Sequence, residues 1–151
     1  MFAAHAMIER ATGQIQFSSD GIRIGPSLSR EEFLASPFAA KCRELVRNEP
    51  YCSFALPTVQ FDGRSFAWSL WFRGSVLESV SIACSDPEFG SSWADWSEEH
   101  EIARKGLHDS LLTTVLGAYW QQQRFTWGSV DSTFDQRSGG SSIGVRYGNA
   151  A

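Results

Sequence analysis

The sequence has no block of basic residues. Its two lysines, Lys41 and Lys105, stand far apart, net charge is −4, and the pI is about 5.3. Nucleic-acid binding draws on a basic stripe, so no nucleic-acid partner is expected, and the acidic balance mildly favours a basic partner or none at all. Cysteine is scarce as well. Cys42, Cys52 and Cys84 are odd in number and lack CxxC spacing, which argues against zinc and dithiol redox motifs. They read as buried free thiols in a reducing compartment, so the cytoplasm is the expected location. No apolar run is long enough to span a bilayer as a helix, and no membrane partner is expected. The opening MFAAHAMIERA lacks a basic n-region and does not read as a signal peptide. Met7 is a candidate start, and residues 1–12 are expected to be extended or disordered.

Nucleophile and metal signatures are also missing. There is no G-x-S-x-G elbow. GGSSIG, from Gly139 to Gly144, has no following helix and no lysine, so it reads as a hairpin rim rather than a phosphate loop. His100 and His108 are eight residues apart, about two turns, where a helical metal pair needs four. Cys84 precedes a loop and His108 lies on the following helix, so thiol and imidazole have room to meet, with nothing further to mark a nucleophile. Asp131 and Asp135 flank Phe134 in a segment that reads as a polar loop. No catalytic residue, metal or cofactor is expected.

What the chain does hold is aromatic bulk. Of 151 residues, 42% are hydrophobic, with six Trp and eleven Phe. That suffices for one domain, residues 1–151, with a core that needs no disulfide or metal. Most tryptophans are expected in that core, although exposed ones favour a binding surface.

Alternation and turn residues place the strands. GQIQFSSDGIRIG reads as an N-terminal hairpin, with Ile15 and Phe17 answered by Ile22 and Ile24. Ser29 and Glu32 form a capping box for a short helix carrying Phe33 and Leu34 inward. After Pro37, FAAKCRELVRN resumes a helical spacing. SFALPTVQF is a weak strand, displaced by Pro57 to an edge or a bulge, and such an edge could pair two chains. Asp62–Gly63 turns the chain. RSFAWSLWF is the strongest strand, with Phe66, Trp68, Leu70 and Phe72 on one face. VLESVSIAC returns, completing a meander. RFTWGSV and SSIGVRY pair as a C-terminal hairpin across the long link DSTFDQRSGG. Trp127–Gly128 marks a bulge or a close backbone approach.

Between meander and final hairpin runs WADWSEEHEIARKGLHD. Asp95 with Glu98 reads as a cap, and a helix is expected over about Trp96–Tyr119. Trp96, Ala103, Leu107, Leu111, Val115 and Ala118 share the apolar stripe. Glu98, Lys105 and Asp109 lie opposite, with Glu101 four residues before Lys105 in the favourable order for an ion pair. The predicted fold is α+β: an antiparallel sheet of roughly seven strands packed on one long helix, plus short N-terminal helices.

Two segments resemble the motifs of a family of small, mostly uncharacterised bacterial proteins: W-x-x-W-S-E-E-x-E-x-x-R-K-x-x-H-D on the helix, and W-G-x-x-x-S-x-x-D with a terminal R-Y on the hairpin. Trp93, Trp96, Ser97, Glu98, Glu99, Glu101, Arg104, Lys105, His108 and Asp109 match the first. Trp127, Gly128, Ser132, Asp135, Arg146 and Tyr147 match the second. The likeness spans about Gly13 to Tyr147, and the style is similar to that of toxin-immunity proteins. It implies a non-enzymatic protein-binding module that neutralises a bacterial toxin. The contact surface is expected on the polar face of the helix (Glu98, Glu101, Lys105, His108, Asp109) or on the loop around Phe134 to Gly140, with Phe134, Asp135 and Trp127 as its candidate residues. Two alternatives stand beside it. One is a small-molecule binder or enzyme with a pocket between helix and sheet, lined by Trp96, His108, Trp127 and Tyr147. The other is a structural protein or homodimer.

Overall fold

RSFAWSLWF lies in the heart of a sheet. The computed structural model describes residues 7–16, 23–90, 92–117 and 122–148. Among them, β1 (Arg43–Asn48), β2 (Tyr51–Phe61), β3 (Arg64–Arg73), β4 (Val76–Cys84), β5 (Gln122–Phe125), β6 (Gly128–Asp135) and β7 (Gly140–Tyr147) form one antiparallel sheet in the order β1-β2-β3-β4-β7-β6-β5. Two α-helices, α1 (Arg30–Ala35) and α2 (Glu98–Leu116), and short 3-10 turns at Pro37–Lys41, Pro87–Phe89 and Trp93–Asp95 complete the α+β fold.

Period-two alternation decides which side of the sheet is dry. Phe66, Trp68, Leu70 and Phe72 of β3 are buried, as are Leu77, Val80, Ile82 and Cys84 of β4 and Ile143 and Val145 of β7. The other face carries Ser69, Ser81 and Gly144 in one cross-strand row. The Asp62–Gly63 turn has the positive φ values, 53° and 75°, that a two-residue hairpin of matching twist requires. Pro57 sits at a register shift between Leu56 and Val59, and its carbonyl accepts the Trp68 indole N–H at 2.9 Å. The expected bulge forms. β1 pairs with β2 only as far as Ala55, so among the described residues positions 56–61 have no strand neighbour on their outer side, and this half of SFALPTVQF is an edge.

The Ser29–Glu32 capping box forms in both directions. Phe33 is wholly buried against Phe54 and Phe72, at ring separations of 5.1 and 5.8 Å. Its burial stabilises by roughly 2–3 kcal/mol. Leu34, expected inside, stands 45% exposed, because so short a helix has only one inward position. FAAKCRELVRN is also not helical beyond Lys41. Arg43–Asn48 is the edge strand β1, exposed along its length, where pairing with β2 overrides a helical spacing.

The N-terminal hairpin appears as bridges rather than sheet strands. Ile15 and Ile24 exchange backbone hydrogen bonds at 2.7 and 3.1 Å, and Ile8 bridges Ile15. The expected turn SSDG, with Phe17 and Ile22 on either side of it, lies outside the described residues. Met7, Ile8, Ile15 and Ile24 are fully buried, so the stretch from Met7 onward is packed rather than loose. It is also tied at three points. Trp127 Nε1 donates to the Arg10 carbonyl at 2.8 Å, Tyr147 Oη to the Gly13 carbonyl at 2.7 Å, and Arg10 Nη1 to the Leu116 carbonyl at 2.8 Å.

Helix α2 begins later and faces differently than its apolar residues suggest. Ser97, not Asp95, is the N-cap, bonding the His100 N–H, while Asp95 closes a box with Ser92 on the preceding 3-10 turn. Gly117, at φ 86°, ends the helix rather than marking a frayed turn; positions 118–121 lie outside the described residues. The buried residues are Glu101, His108, Leu111, Leu112 and Leu116, and Ala103 is exposed. At 100° per residue the inward face is turned by about 100° from the apolar stripe.

In the final hairpin the expected strand RFTWGSV is split by a two-residue turn, Thr126–Trp127, into β5 and β6. β6 runs on to Asp135, so the loop between β6 and β7 shrinks to positions 136–139. Gly128 realises the close approach: at φ 153°, a Cβ there would lie 1.9 Å from the Arg146 carbonyl oxygen. Gly128→Ala is therefore expected to destabilise by about 3 kcal/mol or more. Gly63→Ala, also at positive φ but with open space around it, should cost only about 1 kcal/mol. Urea denaturation of both variants checks the ranking.

Candidate functional site

The sheet forks at one end. β4 and β7 pair from Ser79↔Arg146 to Ile82↔Ile143 and then part. Meanwhile β3 holds β4 as far as Phe66↔Cys84, and β6 holds β7 as far as Asp135↔Gly140. Continued register would set Cys84 opposite Ser141. Each instead gives its backbone N–H to helix α2. Cys84 donates to His108 Nε2 at 2.9 Å, and Ser141 donates to Glu101 Oε1 at 2.9 Å. The Ser141 hydroxyl donates to the Glu101 carbonyl at 2.7 Å.

Glu101 is 3% exposed, and a carboxylate in such a place needs partners. Arg104 Nη1 supplies one, at 2.9 and 2.7 Å from its two oxygens. Arg104 Nη2 then donates to the carbonyls of Phe89 and Gly90 at 2.9 and 3.1 Å, and the guanidinium lies 5.8 Å from the Phe89 ring centre. One ion pair thus joins helix, strand β7 and the Pro87–Phe89 turn.

His108 is fully buried. Because Nε2 accepts a hydrogen bond, the proton of the neutral ring sits on Nδ1. Burial, helped by the nearby charge of Arg104 and Lys105 and opposed by Asp109, pulls its pKa down to about 4. Cys84 and His108 do meet, but through the backbone N–H. Burial pushes the Cys84 thiol up, away from the reactive thiolate.

Outside the fork lies a cleft of about 510 Å³, walled by Phe89, Trp93, Trp96, Arg104 and the turn Ser138–Gly140, with Ala83 and Cys84 below. Trp93 is 76% exposed and Trp96 40%. Their ring centres are 6.2 Å apart. Trp96 Nε1 donates to the Gly139 carbonyl at 2.6 Å. Gly139, at φ 73°, lets that turn come close: a Cβ there would lie 3.1 Å from Trp96 Nε1 and 3.3 Å from a Trp93 ring carbon.

The expected site residues fall into three places. Glu101 lines the cleft, Glu98 stands exposed on the first turn of α2, and Phe134 and Asp135 lead into the turn that forms its far wall. Lys105 and Asp109 pair with each other at 3.0 Å, half-exposed along the helix, so Glu101 is left to Arg104 rather than to Lys105. Trp127 is remote. It opens the hairpin at the end opposite the fork, a strand length of ~25 Å away, stacked on Phe125 at 4.9 Å and close to Tyr147. A pocket shared by Trp96, His108, Trp127 and Tyr147 therefore does not form, because β6 and β7 separate these side chains along their length. Trp93, Phe89 and Arg104 were not expected as site residues, whereas Gly139 falls within the expected loop from Phe134 to Gly140. The pair of tryptophans beside a glycine-rich turn was the available signal. Among the described residues no cluster of three or more His, Cys, Asp or Glu is placed to hold a metal ion.

Two consequences are testable. Glu101→Ala strands Arg104 and the Ser141 N–H, and is expected to lower stability by about 3 kcal/mol. Glu101→Gln, which keeps an acceptor, should cost less; chemical denaturation separates the two. Below pH 6.5 the unfolded chain protonates His108 while the folded chain resists until about pH 4. Stability from this group is thus complete above pH 6.5 and falls with pH across that window, by up to about 3 kcal/mol. His108→Gln should flatten this part of the pH dependence, read as the difference between wild-type and variant unfolding curves at pH 7.5 and pH 5.

No family model matches the chain, and no curated protein does. A solved structure does. The chain is similar in fold to one from "Rhs1-CT in complex with cognate immunity protein RhsI1", at a TM-score of 0.56 and 12% identity, covering 93% of this chain and 85% of that one.

Proposed function

We propose that this protein is an immunity protein, a binding module that captures a cognate bacterial toxin and neutralises it by occupancy. The observation that carries this reading is the fold likeness over 93% of the chain to a chain from an immunity-protein complex. The cleft supports it independently. A tryptophan 76% exposed beside a second, the second hydrogen-bonded to the Gly139 turn, is the kind of aromatic surface that anchors protein partners. The contact surface in this reading is the cleft and its surroundings: Trp93, Trp96, Glu98, and the turn after Phe134 and Asp135. Lys105 and Asp109 continue it along α2. The three free thiols suit action in the cytoplasm.

The test uses an effector domain captured by this chain in a pull-down from its native host. Its expression in a laboratory host should arrest growth, and co-expression of this chain should restore it. Purified together, the two should migrate as one species with a defined mass by light scattering. Unrelieved arrest with this chain present and folded would sink the reading.

A further inference from the structure

The cleft carries chemistry that narrows its occupant. Trp93 is the most exposed of the large apolar side chains described, yet it is not loosely held. Ser92 and Asp95 cap the turn that bears it, Trp96 packs beside it, and Gly139 closes against both rings. The platform is built before any partner arrives, so little ordering remains to be done on binding.

The segment that carries the two tryptophans is acidic. From 86 to 103 the chain has six carboxylates (Asp86, Glu88, Asp95, Glu98, Glu99, Glu101) and no Lys or Arg. Three guanidiniums stand about the cleft: Arg137, exposed in the turn before Ser138, adds one positive charge to the far wall, while the other two are engaged. Arg64 holds Asp86 and Glu88, and Arg104 holds Glu101 and the Phe89 and Gly90 carbonyls. Glu98 and Glu99 are exposed and take part in none of the salt bridges among the described residues. Ser97 and these two glutamates also satisfy the positive end of α2, so the helix terminus holds no vacancy for an anion.

An indole face beside unpaired carboxylates recognises cations, and a planar guanidinium stacks on it better than an ammonium. A second copy of the chain would bring the same acids against these acids, which disfavours self-association through this face. We infer that the Trp93–Trp96 cleft is the docking site for a basic segment of the protein partner, with an arginine side chain laid on Trp93 in the field of Glu98 and Glu99. The inference rests on the immunity reading for the identity of the partner, but its chemistry can be tested without the toxin.

The probe is a short peptide of alternating glycine and arginine, compared with its citrulline counterpart, which is isosteric and neutral. Titrated into the ¹⁵N-labelled full chain, the arginine peptide should shift the indole N–H signals of Trp93 and Trp96 saturably. Citrulline should bind at least about tenfold more weakly, and 0.3 M salt should weaken the arginine peptide severalfold by screening. Trp93→Ala should abolish the shift and Trp93→Phe retain part of it. Glu98→Gln with Glu99→Gln should weaken binding at least about threefold, while the dispersed spectrum of each variant reports an intact fold. Equal binding of citrulline, a shift unaffected by Trp93→Ala, or arginine peptide perturbing only a different surface overturns the inference. So does a complete lack of binding. These outcomes are independent of the growth assay. Rescue without arginine recognition places the toxin elsewhere on the surface; recognition without rescue keeps the site and removes the immunity role.

Discussion

The constraint on which the molecule turns is the parting of β4 from β7. A backbone N–H taken from a sheet ladder and left buried costs about 1–3 kcal/mol. The fork exposes this problem at Cys84 and at Ser141, one on each arm. Helix α2 answers both, with His108 for one arm and Glu101 for the other. These two positions are seven residues apart, two turns on one helix face, so a single rotation of α2 satisfies both arms together. The helix thereby works as a wedge whose polar atoms replace the missing rungs.

That wedge explains why the rotation of α2 was misread. Counting apolar residues puts Ala103 and Leu107 inward, leaves His108 only at the edge of the stripe, and treats Glu101 as part of the wet side. The rule assumes that burial follows hydrophobicity. Here two polar side chains are buried because backbone donors await them, and Ala103, too small to gain much from burial, is turned out. Nothing local in the sequence announces that a ladder two elements away will open. Features set by neighbours in the chain were legible: the Ser29–Glu32 cap, the Asp62–Gly63 turn, the alternation of Phe66 to Phe72, the tight approach at Gly128. Features set by distant pairing were not. CRELVRN has a helical spacing, but β2 offers it a ladder. Asp131 to Asp135 look like loop, but β7 runs opposite them.

The same distinction governs the candidate site. Glu101 and the segment after Phe134 were legible as polar surface, and Glu101 meets Ser141 at the fork, while Glu98 stands exposed one turn earlier on α2. Trp93 and Trp96 were harder, because aromatic residues are usually buried and Trp96 falls on the apparent stripe. Their exposure follows from the 3-10 turn at Trp93–Asp95, which swings them off the helix axis before α2 begins. Trp127 presents the opposite case. Its motif looks functional, yet its indole N–H and ring are absorbed in anchoring the segment from Met7 to Gln16.

The fork also links stability to recognition through one carboxylate. Glu101 fixes Arg104, and Arg104 fixes the carbonyls of Phe89 and Gly90, which form one wall of the cleft. Through Ser141, Glu101 also fixes the start of β7, immediately after Gly139, on which Trp96 rests. Both walls are therefore referenced to the same buried group. Loss of that one carboxylate would release both walls together, and in the proposed reading a cleft fixed in this way has less freedom to lose when a partner docks.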